Sequence, residues 1–163
     1  FGGGIENNGT MTIANSTIAN NTSANFADGG IENAGTLSVA QSIVANNRTL
    51  MGLLSNCGLS SPLTDQGYNL ESGTDCTFTA PTDQQNTNPQ FQGGLQNNGG
   101  PTQTIALQPT SPAVNTIPVN TGSGCITGGR DQRGQPRPDR FLLLLPETTC
   151  DIGAYEVQGE LLQ

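Results

Sequence analysis

Between residues 3 and 47 the apolar positions fall in a recurring order. Ile5 stands alone, Met11 and Ile13 alternate across one polar residue, and Ile18 stands alone again. The same beats return at Ile31, at Leu37 with Val39, and at Val44. Aligning residues 3–21 with 29–47 at an offset of 26 leaves twelve of nineteen pairs identical, and Met11/Leu37, Ile13/Val39 and Ile18/Val44 are conservative. Alternation with period two marks a strand, and self-similarity at a fixed period of a few tens of residues marks stacked repeats.

Each repeat therefore predicts three short strands joined by Gly-rich or Asn-rich corners. Stacked in register, the repeats predict inward ladders of Ile5 on Ile31, Met11 on Leu37, Ile13 on Val39 and Ile18 on Val44, about 4.8 Å apart. After the third strand, Asn20 is expected to stack on Asn46 and Asn21 on Asn47, with amide bonds passing from repeat to repeat. Gly9 and Gly35 are expected to supply a corner at positive φ. The fold expected is all-β, a parallel β-helix with three short strands per coil and an irregular, disulfide-stapled C-terminal cap.

After Thr49 the period dissolves. Residues 51–54 are apolar. The text from 57 to 98 is turn-rich, with apolar punctuation at Leu59, Tyr68, Leu70, Phe78, Phe91 and Leu95. Asn97-Asn98-Gly99-Gly100-Pro101 is a firm turn. Strands are expected within 102–107 and 113–119. Coils, regular to about residue 50 and irregular beyond it, are expected to fill 1–123, and 124–163 to form a cap and tail, because a stack of repeats must shield its last apolar layer.

Composition narrows the function. Thirteen acids face five Arg, with no Lys, His or Trp, for a net charge of −8. A reader of duplex phosphates needs a basic face, so no nucleic-acid partner is expected. The absence of His removes the usual general base and the commonest metal ligand, and neither cofactor nor metal is expected. The longest apolar run is Phe141, Leu142, Leu143, Leu144 and Leu145, far short of the roughly 20 residues of a membrane span. Four cysteines, at 57, 76, 125 and 150, lack zinc spacing and allow three pairings. Cys57 with Cys76 and Cys125 with Cys150 is the favoured pairing, since both close local loops. Disulfides point to an oxidising setting: secreted, cell-surface or periplasmic.

The C-terminal part carries several motifs in order: Asn56-Cys57, Gly67-Tyr68-Asn69-Leu70, the 97–102 turn, Ser111-Pro112-Ala113, Asp131-Gln132-Arg133-Gly134 with Pro136-Arg137-Pro138, and Cys150-Asp151-Ile152-Gly153-Ala154-Tyr155-Glu156. Together they resemble the choice-of-anchor Q domain. That domain closes large secreted bacterial proteins built of right-handed parallel β-helix repeats, and the repeats here are also similar to those of polymorphic outer-membrane proteins. The resemblance covers nearly the whole chain. It implies a right-handed β-helix and a bacterial cell-surface address, with no general enzymatic activity. Two departures stand out. Only residues 157–163 follow the last motif, with no visible anchor, and the 141–145 run is unusually apolar. The chain opens in mid-repeat, which reads as a mature product, a fragment or the ordered part of something longer.

In the cap, Arg133 and Arg137 are expected to pair with Asp151 and Glu156 near Asp131, as a structural lock rather than a catalytic site. Catalysis on polysaccharide would need two carboxylates facing one cleft. Glu6 and Glu32 instead occupy equivalent outward positions, and Asp65, Asp75 and Asp83 follow no calcium-loop spacing. Five Asn-x-Ser/Thr sequons, at Asn8, Asn15, Asn20, Asn21 and Asn47, follow from an Asn/Thr-rich composition. A structural role is expected, with the first repeat stacking on another copy head to tail or on upstream coils, and the 141–145 run as a candidate contact. The alternative is an adhesin that binds a surface glycan. That reading is weakened by two Tyr and no Trp, which leave no sugar-stacking platform.

Overall fold

The computed structural model describes residues 2–24, 28–122, 124–139 and 148–159. They are all-β, with parallel strand triples and two disulfides. The chain groups into two compact units, Phe1–Pro89 and Gln90–Gln163. The division precedes the boundary expected at 123 because residues 90–122 bond to each other and to the last described segment. Gln92 N–H donates to Ala106 O, and Thr116 N–H to Cys150 O.

The first unit holds nine strands: β1 (Ile5–Asn7), β2 (Thr10–Ala14), β3 (Thr17–Ala19), β4 (Ile31–Asn33), β5 (Thr36–Ala40), β6 (Ile43–Ala45), β7 (Cys57–Leu59), β8 (Leu63–Asp65) and β9 (Leu70–Glu71). They form three parallel sheets, ordered β1-β4-β7, β2-β5-β8 and β3-β6-β9. Ile5 pairs with Ile31, Met11 with Leu37, Ile13 with Val39 and Ile18 with Val44. These side chains, with Cys57, Cys76 and Phe78, make the core.

The period does not end at Thr49. A third repeat keeps the offset of 26 through Ile31↔Cys57, Leu37↔Leu63 and Val39↔Asp65, then shifts to 27 at Ile43↔Leu70 and Val44↔Glu71. The extra residue falls between β8 and β9, where Gly67 (φ 84°) and Tyr68 (φ 55°) both turn left-handed. The apolar beat fails there because Asp65 and Glu71 occupy the columns begun by Ile13 and Ile18.

The corners also differ from expectation. The left-handed residues are Asn15 and Gln41 after the second strand, and Asn20 and Asn46 after the third, with φ of 49°, 53°, 60° and 58°. Gly9 and Gly35 are not among the glycines at positive φ. Gly35 is needed for close approach instead, since a Cβ there would run into the Gly9 backbone stacked on it.

Among its described residues the second unit has short antiparallel strand pairs, β10 (Ile117–Pro118) with β13 (Thr149–Cys150) and β11 (Gly129–Arg130) with β12 (Pro136–Arg137). The strand expected in 102–107 is reduced to the bridges Gln96↔Thr104 and Phe91↔Leu107. Leu107, Ala113, Ile117 and Ile152 are buried around the Cys125–Cys150 disulfide. Phe141, Leu142, Leu143, Leu144 and Leu145 lie outside the described residues. Among the described residues no helix is long and apolar enough to cross a membrane.

Candidate functional site

The two ends of the parallel stack in the first unit are built differently. At one end, β1, β2 and β3 each have a strand neighbour on one side only among the described residues. Ile5 and Met11 are half-buried there, whereas Ile31 and Leu37, one repeat further in, are 0% and 1% exposed. Ile5 and Ile31 are the same side chain in one column, and only Ile31 has a layer on both sides, while Ile13 and Ile18 of the end layer are buried. At the other end, Cys76 and Phe78 close the core, both at 0% exposure. Cys57 and Cys76 are joined by a disulfide.

Amide columns hold the repeats at fixed height. Asn21 Nδ2 donates to Asn47 Oδ1 at 2.9 Å, and Asn47 Nδ2 donates onward to Asn56 Oδ1 at 3.2 Å. A second column was legible as an identical pair in the alignment but not singled out: Asn7 Nδ2 donates to Asn33 Oδ1 at 2.7 Å, in burial. Asn20 and Asn46 serve the corner through backbone conformation. Asn is the residue that tolerates the left-handed region best after Gly, and Asn46 N–H donates to Ser72 Oγ.

Outward chemistry is sparse. Glu6 pairs in register with Glu32, whose carboxyl is raised by the hydrogen bond its protonated form donates to Asp28, by burial and by the Asp28 charge. Among the described residues no group of three or more acids, His or Cys could hold a metal ion. The apolar stretch after Thr49 forms a turn, with Gly52 N–H donating to Thr49 O and Arg48 reaching Gly52 O. It leaves Leu50, Met51, Leu53 and Leu54 exposed by 57%, 69%, 68% and 44%. Four large apolar side chains within five residues form an exposed apolar patch that the sequence displayed as a bare apolar run.

In the second unit the charged motif residues converge, with Arg137 beside Glu156 as expected and Arg133 paired differently. Arg133 pairs with Asp131 rather than Asp151 or Glu156: its Nε and one terminal nitrogen lie 2.8 and 2.7 Å from Asp131 Oδ2. It also donates to Glu156 O and lies 3.7 Å over the Tyr155 ring. Arg137, 2% exposed, donates to the carbonyls of Gly153 (2.7 Å) and Asp151 (2.6 Å), and its Nε is 3.7 Å from Glu156 Oε2. The Asp151 carboxylate accepts the N–H groups of Asn115 and Val157. Burial, with the Asp151 charge next, pushes Glu156 up to about 8, and burial pushes Asp151 up to about 6. Most oxygens and guanidinium nitrogens in this cluster are bonded to the chain itself.

No family model, curated protein or solved structure matches the chain.

Proposed function

We propose that the chain is an extracellular structural or adhesive protein, and that its first unit is the closed end of a right-handed parallel β-helix whose β1–β3 layer seats a further β-layer. The observation that carries this reading is the difference in cover between Ile5 or Met11 and their column partners Ile31 and Leu37. A parallel sheet is stable when covered, and strands with a bare edge accept another strand. A filament of identical copies needs both ends to mate. With Cys76 and Phe78 closing one end, a terminus is favoured over a head-to-tail filament. The two disulfides support an oxidising compartment. The exposed Leu50, Met51, Leu53 and Leu54 surface supports an adhesive role, and the resemblance to choice-of-anchor Q proteins supports the cell exterior.

The test is negative-stain microscopy of native material, with intact mass on the same sample. Rods whose mass exceeds 16.8 kDa, or that contain a second polypeptide, support a terminus seated on a further layer. Fibres built of 16.8 kDa chains would replace the terminus with a filament. Single 16.8 kDa particles with rapidly exchanging β1–β3 amides would overturn both.

A further inference from the structure

Two carboxyl groups stand where the core columns should end. Asp65 continues the Ile13–Val39 column and Glu71 continues Ile18–Val44. Each stands beside a second carboxyl from the segment that carries Cys76 and Phe78: Glu71 Oε1 accepts the N–H of Asp75, and Asp65 Oδ2 and Asp83 Oδ2 accept the same Ala80 N–H at 2.8 and 2.9 Å. Residues 1–89 contain one basic side chain, Arg48, and it is turned to Gly52 O. Among the described residues of this unit no basic side chain therefore faces either pair.

The donors around the pairs are suited to one negative charge each. Asp75 Oδ2 accepts the N–H groups of Asn56 (2.6 Å) and Cys57 (3.0 Å), while Glu71 Oε1 accepts those of Asp75 and Cys76. Glu71 is 0% exposed, and its Oε2 is sealed from solvent with no N–H on it. Asp65 Oδ2 accepts the Thr79 and Ala80 N–H groups at 2.8 Å, and Asp83 Oδ1 accepts Asn69 N–H. Two carboxyls within hydrogen-bond reach cannot both be ionised without a counter-charge. A metal ion would meet N–H donors here instead of the oxygen ligands it requires. The species that fits between each pair is a proton.

We propose that residues 72–83 form a proton-held lid over the end of the apolar columns, clamped by one shared proton in each of the pairs Glu71–Asp75 and Asp65–Asp83 and released when those protons leave. The Cys57–Cys76 disulfide tethers the lid when it opens. Opening lifts Phe78 off the core it closes, so apolar side chains at the closed end of the stack become reachable. The lid stands on the geometry of the first unit and holds whether or not the extracellular reading does.

The direction of the pH effect follows from the pairs. Burial, with the Asp75 hydrogen bond next, pushes Glu71 up to about 8, and burial with the Asp65 hydrogen bond pushes Asp83 up to about 6. Burial also acts to raise Asp75 and Asp65, but hydrogen bonds from their partner carboxyls and from backbone amides hold both below the usual range. A group raised in the closed state stabilises closure fully below its free value, and that contribution is lost as pH rises to the closed-state value. The lid is therefore tightest near pH 4 to 5 and loosens toward pH 8.

Amide hydrogen exchange on the intact protein, corrected for the intrinsic pH dependence, tests this. Protection at Asp75 and Cys76 is expected to fall by up to about tenfold per pH unit between roughly 5 and 8 and then level off. Protection at Thr79 and Ala80 should level off near 6, and that of β4–β6 should hold constant. Glu71→Gln keeps a donor toward Asp75 but cannot titrate, and should flatten the profile at Asp75 and Cys76 alone. Protection that is flat in the wild-type protein, or that falls equally across β4–β6, would overturn the lid. Should the variant fail to fold, carboxyl-carbon titration of the wild-type protein decides: Glu71 titrating near 8 supports the lid, and an ordinary value near 4.5 refutes it.

Discussion

In the first unit the repeat β4–β6 is sealed on both sides by its neighbours, and Ile31, Leu37, Val39 and Val44 are all 0% or 1% exposed. In the second unit the largest fully buried side chain is Arg137, held by backbone carbonyls beside Glu156. The chain is poor in apolar residues, and the two units meet that shortage differently. Parallel columns let each apolar side chain cover the next, so a few Ile, Leu and Val suffice. Without a repeat, the second unit satisfies its buried groups one bond at a time, around a disulfide. Columns share a loss with their neighbours, whereas a lock of single bonds fails where one member is removed.

Arg137→Ala gives the largest expected effect. It leaves Glu156 and two carbonyls without their buried donor and should cost about 3–5 kcal/mol. In chemical denaturation the second unit should then lose its amide protection while β4–β6 retains it. Leu37→Ala should cost about 2–5 kcal/mol for a sealed core position, and Met11→Ala at the same column clearly less. Equal costs would mean that the β1–β3 layer is already covered in solution. Replacing Cys57 and Cys76 with Ala should cost about 3 kcal/mol on the loop-entropy model, read as a lower denaturation midpoint.

Glu156 and Asp151 are both raised, so their contribution is present in acid and is lost as pH rises through about 6 and then about 8. Thermal unfolding of the second unit should therefore occur at lower temperature at pH 8 than at pH 5. The smallest effect is expected from Met51→Ser with Leu53→Ser, within about 0.5 kcal/mol because both are exposed, and adhesion to apolar surfaces should drop without a change in melting.

The ladders of the first two repeats could be read from the sequence because identical residues recur at column and corner alike. The third repeat could not, for a physical reason. Cys57, Asp65 and Glu71 sit at inward positions, and the step of 27 breaks the offset just where it would be sought. Glycine was ambiguous too. A residue without Cβ permits either positive φ or close packing, and Gly35 serves packing while Asn15, Gln41, Asn20 and Asn46 take the left-handed corners. In the cap the charged residues were legible as a set, and so was Arg137 beside Glu156, but the partner of Arg133 was not. Arg133 folds back on Asp131 because Asp131 Oδ1 already accepts the Arg133 N–H at 2.8 Å, a local bond that charge alone does not announce.

The equal register of β1 on β4 and of β4 on β7 has a consequence for inheritance. Any recombination that duplicates one 26-residue segment in frame delivers a segment already matched above and below. Each such copy would add about 4.8 Å of height without disturbing the chemistry of either end. Length can then drift between generations while the fold stays the same.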